Sequence, residues 1–178
     1  MKLFRLLAPS LFVFLPLSLH AQLGLYGTFT AAKLNVQNYN DILYGGTFGA
    51  YLASGQLAVL SVGIDLRGSV LRNSSTGLDS GLIGPRLGLN THILPIQPYL
   101  EGLVGIGHTT FAGIPSTSST KFEYQFLGGL DFTIFPRIDW RLVEFSYGGL
   151  SALNNQSFHP KSLSTGIVLR LPRILPLP

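Results

Sequence analysis

Cysteine is absent from the 178 residues, and charge is scarce, with 11% of positions carrying Asp, Glu, Lys or Arg. The first absence excludes a disulfide-stapled scaffold and a thiolate metal site. The second sets the chain apart from soluble domains, where about 25% of residues are charged. Also missing, beyond the first residues, is any apolar run of the ~18 needed for a transmembrane helix. A formal charge of +4, falling to +2 once Lys2 and Arg5 are set aside, is too small and too dispersed for a nucleic-acid partner. What remains is a hydrophobic, glycine-rich chain, with 21 Gly, whose apolar residues must lie in strands.

The first 21 residues have the format of an export signal. Lys2 and Arg5 form the positive start, Leu6 to Leu19 is apolar apart from two Ser and two Pro, and Ala21 closes a small-residue cleavage site before Gln22. A retained anchor would need about 20 apolar residues, and Pro16 interrupts this run. The expected organisation is therefore a signal at 1–21, one domain at 22–171 and a Pro-rich tail at 172–178.

The domain carries eight stretches of two-residue alternation. In Leu57 to Val70, Ala58, Leu60, Val62, Ile64 and Leu66 share one face, while Ser61, Gly63, Asp65 and Arg67 share the other. The sixth stretch sets Phe122, Tyr124, Phe126, Leu130, Phe132 and Ile134 against Glu123, Gln125, Gly129, Asp131 and Thr133. The others are Leu23 to Ala32, Ile42 to Leu52, Gly81 to Leu94, Pro98 to Thr110, Trp140 to Tyr147 and Lys161 to Leu171. Turn-forming residues predict tight connections at Ala53 to Gln56, Pro95 to Gln97 and Pro136 to Asp139. Long polar connections are expected at Lys33 to Asp41, Leu71 to Ser80, Phe111 to Lys121 and Gly148 to Pro160. Pro85 fits poorly inside a strand, since it donates no ladder hydrogen bond, so the membrane part of that strand is expected from Arg86.

Such a pattern describes an all-β, eight-stranded antiparallel up-and-down transmembrane β-barrel, because lipid tolerates no open sheet edge. A soluble lipocalin-like barrel would show the same period with its faces reversed. Three features favour the membrane form. The polar face carries no Lys, and it is rich in Gly, as a crowded eight-stranded interior requires. Aromatics gather at strand ends as girdles, with Tyr44, Phe122, Tyr124 and Tyr147 toward one rim and Phe132 and Trp140 toward the other.

These residues carry a resemblance to the OmpA-like and opacity-type bacterial outer-membrane barrels. It covers the mature chain and rests on format, including a closing strand in which Leu163, Thr165, Ile167, Leu169 and Leu171 alternate outward. The resemblance implies the cell outer membrane as location, periplasmic termini, a monomer, and no cofactor. It also implies outer-membrane lipid and lipopolysaccharide as surroundings, delivery by the barrel-assembly machinery, and surface or host contacts through the loops. Similar proteins often end on an aromatic residue read by that machinery, whereas here the strand closes on Leu171.

The candidate site is a lumen charge network of Asp65, Arg67, Arg86, Glu101, Glu123, Asp131, Glu144 and Arg170. Buried ions need partners, so these should form Arg–carboxylate pairs. A rigid polar core is favoured over a partner-swapping gate, because side chains fill an eight-stranded interior. Hydrolysis of lipid esters by His159 with Ser157, or by His108 with Thr109, is the lesser alternative, since neither pair sits in a motif. Gly102, Gly105 and Gly107 have the wrong spacing for a dinucleotide fingerprint. His92, His108 and His159, without any Cys, are a poor metal set. Asn73 and Asn155 head acceptor-like triplets that matter only in a eukaryotic secretory route.

Overall fold

Alternation of this kind closes on itself. In the computed structural model, residues 22–36, 39–57, 59–90, 94–111, 117–151 and 159–172 are described. The expected signal at 1–21 and nearly all of the Pro-rich tail fall outside them, as do His92, Asn155 and Ser157. Eight strands run β1 Gln22–Val36, β2 Tyr39–Leu57, β3 Leu60–Arg72, β4 Thr76–Leu89, β5 Ile96–Phe111, β6 Thr117–Phe135, β7 Ile138–Ser151 and β8 Lys161–Arg170. Each pairs antiparallel with the next, and β8 returns to β1, so the sheet is a closed barrel without an edge. Among the described residues there is no helix.

The end at which β1 begins and β8 finishes is here called the near end, and the opposite one the far end. The far-end connections are shorter than the polar sequence suggested. β1 and β2 stay paired out to Val36 and Tyr39, so all of the expected loop Lys33 to Asp41 except 37–38, which lie outside the described residues, is in the ladder. β3 and β4 pair as far as Arg72 and Gly77, and β5 and β6 as far as Phe111 and Thr117. The β7–β8 connection, expected from Gly148 to Pro160, is also shortened, to 152–160, because β7 runs on to Ser151. The physical reason is that ladder bonds join backbones and ignore side-chain polarity, so beyond the apolar belt a strand continues with polar residues outward.

Two near-end expectations also shift. β2 runs past Ala53 to Gln56 to reach Leu57, with a register irregularity between Ser54 and Gln56, which leaves 58–59 as the connection to β3. The connection after β4 occupies 90–95, so β5 begins at Ile96, inside the stretch expected to turn. Pro136 and Arg137 do make a two-residue turn, where Arg137 holds φ 86°, a value glycine adopts more easily. Pro85 lies within β4, not before its membrane part. Its ring faces outward, it pairs with Ile64 of β3, and the β4–β5 ladder is interrupted beside it, between Ile83 and Arg86. The missing donor is thus accommodated by a gap on one side only.

The faces are those of a membrane barrel. Outward residues include Phe29, Phe48, Leu66, Leu100, Ile106, Phe126 and Leu163, all between 55% and 65% exposed. Asp65, Glu123 and Arg141 are 0% exposed inside. A water-soluble barrel would place these two sets the other way round.

Candidate functional site

Seven inward ions meet in one layer of the lumen. Arg67 donates from Nη1 and Nη2 to the two Glu144 carboxylate oxygens, both at 2.8 Å, and its Nη2 lies 3.5 Å from Glu101 Oε2. Arg86 donates to Glu101 Oε1 through Nη1, and to Asp131 Oδ2 at 3.1 Å through Nη2. Arg141 donates to Asp131 Oδ1 at 2.9 Å and to Glu144 Oε2 at 3.0 Å. Asp65 Oδ1 accepts from Tyr26 at 2.8 Å, with Arg67 Nε 4.0 Å away, while Asp65 Oδ2 has no partner. Three guanidiniums therefore face four carboxylates, bridged so that most oxygens have a donor.

Tyrosines sandwich the guanidiniums. Arg86 lies 4.2 Å from the Tyr51 ring centre and 3.8 Å from that of Tyr99, and Arg141 lies 4.3 Å from Tyr26 and 4.7 Å from Tyr99. This arrangement adds cation–π attraction to the ion pairs. Room for the rings comes from glycine: Tyr26 is opposite Gly49, Tyr51 opposite Gly24, and Tyr99 opposite Gly129. A Cβ at any of the three would overlap the facing ring.

Two expected members stand apart. Glu123 sits nearer the far end, accepting from Ser80 at 2.5 Å and Gln125 at 3.0 Å, with no Arg among its partners there. Arg170 lies at the near-end rim, where it donates to Asp139 at 2.6 Å and Thr133 at 3.0 Å. Arg141, Asp139 and the three tyrosines were missed by the sequence reading. Strict alternation through β7 cannot place both Arg141 and Glu144 inside, because they are three apart. A bulge solves this: Leu130 pairs with Val143 but Asp131 pairs with Arg141, so one extra residue is absorbed between them. The available signal was an Arg on an otherwise lipid-facing row.

Toward the far end the lumen changes character. A hydroxyl layer follows the ions, with Thr30 bonded to Thr47 at 2.8 Å and Ser164 at 2.9 Å, and Ser146 to Ser162 at 2.6 Å. Ala32, Leu34, Leu43, Leu71, Leu78 and Leu150 then pack into an apolar plug. Between ions and plug remains a cavity of ≈ 10 Å³, lined in part by Arg67, Ser69 and Leu78. It has room for about one water.

Tyr44, stacked on Phe29 at 6.2 Å, lies with Phe122, Tyr124 and Tyr147 toward the far end. Phe132 and Trp140 are ladder partners toward the near end, where Trp140 Nε1 donates to Thr165 at 3.2 Å. Of the two proposed hydrolytic pairs, the one that lies wholly within the described residues, His108 with Thr109, is not assembled. His108 and Thr109 point to opposite faces: His108 Nδ1 bonds Thr120 Oγ1 at 2.9 Å, while Thr109 donates inward to Ser119 O at 3.3 Å. The His159 ring stacks on Tyr147 at 5.9 Å, and its expected partner Ser157 lies outside the described residues.

No protein-family model matches the chain, and no curated protein does. Solved structures do. Neisserial surface protein A is 16% identical, with TM-score 0.58 over 84% of this chain and 97% of its own. Ail of Yersinia pestis, in complex with the heparin analogue sucrose octasulfate, is 17% identical, with TM-score 0.56 over 85% and 99%. The outer-membrane enzyme PagL is 16% identical, with TM-score 0.50 over 82% and 99%. The shared property is the fold: this chain has the architecture of small outer-membrane barrels.

Proposed function

We propose that this chain is a small integral barrel of the outer membrane of a diderm bacterium, non-enzymatic, with the ionic layer as its rigid core. On this reading the near end and both termini face the periplasm, and the far-end hairpins meet the surroundings. It is a monomer without cofactor, folded by the barrel-assembly machinery, and makes its contacts with other surfaces through those hairpins. The observation that carries the reading is an interior filled from ions to plug beneath an apolar outer belt. The plug argues against an open path, and the multiply bridged ion pairs argue for rigidity.

Cell fractionation tests the location. The protein should pellet with the outer membrane, require detergent for release, and run at a different gel position when left unheated. Recovery from the periplasm without detergent would overturn the proposal.

One observation favours a second reading, a narrow gated pore: Arg67 lies between Glu144 and Glu101 and could exchange one for the other. Planar-bilayer recordings decide, since the closed core is expected to give no conductance above background. Should channels appear and change with Arg86→Gln or Glu123→Gln, the pore reading replaces the rigid core. A hydrolase reading draws only on the fold shared with PagL. Lipid A mass spectra that are identical with and without expression of the chain are the expected result.

A further inference from the structure

Two lysines face each other across the seam that closes the barrel. Lys33 of β1 and Lys161 of β8 are ladder partners, and both are exposed on the outer face. Directly opposed residues hold their Cβ atoms ~4.5–5.5 Å apart, where like charges repel. Another outward cation at the far end, Arg72, has its own counterion in Asp79, at 2.5 and 2.7 Å. Among the described residues neither lysine has a carboxylate within ion-pair distance. Lys161 Nζ instead lies 5.9 Å from the Tyr147 ring centre, and His159 stacks on that same ring.

The height of the pair identifies what would neutralise it. Lys33 stands ten positions from Leu23 on β1, and Lys161 ten from Leu171, the residue just after β8. At ~3.3 Å per residue this is ~33 Å along the strand. A tilt of ~40° reduces that to ~25 Å, the height of the apolar band of such barrels. The outward positions in between, Leu25, Gly27, Phe29 and Ala31 on one strand and Leu163, Thr165, Ile167 and Leu169 on the other, hold no charge. The lysines therefore sit where acyl chains end and phosphates begin.

We propose that Lys33 and Lys161 together bind the phosphate of a phosphorylated lipid headgroup, with Tyr147 beside it and the acyl chains lying along Phe29, Ala31 and Leu163. Two lysines that are ladder partners can turn their flexible side chains to the oxygens of one phosphate, which converts their mutual repulsion into a joint attraction. The proposal rests on the membrane reading above and deepens it, since it names the lipid chemistry and the place on the wall.

The test uses the full mature chain in detergent, wild type and K33Q/K161Q, titrated with lipid A bearing two phosphates, with the same lipid after removal of its phosphates, and with inorganic phosphate. Native mass spectrometry reads the bound fraction. A lysine near an anionic surface contributes roughly fivefold in affinity, so the double variant should bind diphosphorylated lipid A ~30-fold more weakly and each single variant ~5-fold. Removing the phosphates should weaken wild-type binding to a similar extent. Unchanged affinity in folded K33Q/K161Q, or equal binding of the phosphate-free lipid, would overturn the proposal. Inorganic phosphate competing at the same concentration as the lipid would overturn the lipid assignment. Heat-dependent gel mobility confirms the fold of each variant, and K33Q and K161Q separately decide the matter if the double variant does not fold. A wild type absent from the membrane fraction would sink the membrane reading itself. A membrane-inserted wild type whose variants bind lipid equally well would remove only this inference.

Discussion

Glu144 and Asp65 belong to the same ionic layer but do not carry the same load. Glu144 accepts from Arg67 twice, from Arg141, and from Tyr99 at 2.6 Å, so losing its charge strands two buried guanidiniums. Glu144→Gln is expected to cost about 3–5 kcal/mol in denaturant unfolding of the refolded barrel. Asp65 has one idle oxygen and contributes the carboxylate in excess of the guanidiniums, so Asp65→Asn should cost less than about 1 kcal/mol in the same experiment. Equal losses in the two variants would mean that the charge imbalance has no energetic consequence. At this scale the sequence was informative about which way a residue points and nearly silent about whom it meets. Parity alone puts Asp65, Arg67, Glu101 and Asp131 on one face, and all four side chains are buried. Parity says nothing of height, so Glu123 and Arg170 were grouped with ions that lie in another layer.

Elements explain a different set of successes and failures. The β7 bulge turns Arg141 inward, against the alternation that Trp140 to Tyr147 would otherwise follow. Arg141→Leu tests it: with the bulge, the change leaves Asp131 and Glu144 short of a donor and lowers stability by about 3–5 kcal/mol. A gain in stability would mean that residue 141 meets lipid and that β7 runs straight. At the near-end turn, Arg137→Gly relieves the positive φ and should raise stability by about 0.5–1 kcal/mol, read as a higher denaturant midpoint. No change there would mean that the turn relaxes at no cost. Strand existence was legible for all eight elements because burial imposes a strict period of two. Strand ends on the far side were not, since Ser, Thr and Asn in a hairpin beyond the lipid look the same in sequence as those in a loop.

At the scale of the whole molecule, the layer draws on every strand but one. Tyr26 comes from β1, Tyr51 from β2, Asp65 and Arg67 from β3, Arg86 from β4, Tyr99 and Glu101 from β5, Asp131 from β6, and Arg141 with Glu144 from β7. Only β8, the shortest strand at 10 residues, contributes neither an ion nor a tyrosine to it. No single hairpin can therefore satisfy its own charges in lipid. A molecule pulled from a bilayer by one terminus should resist most at its first rupture, and the remaining hairpins should follow at lower force. A staircase of equal steps would mean that each hairpin is stable by itself. For a cell the same arrangement implies that a half-inserted intermediate holds naked ions against oil, so the wall must close in a single concerted event or the chain must wait, sheltered, until it can.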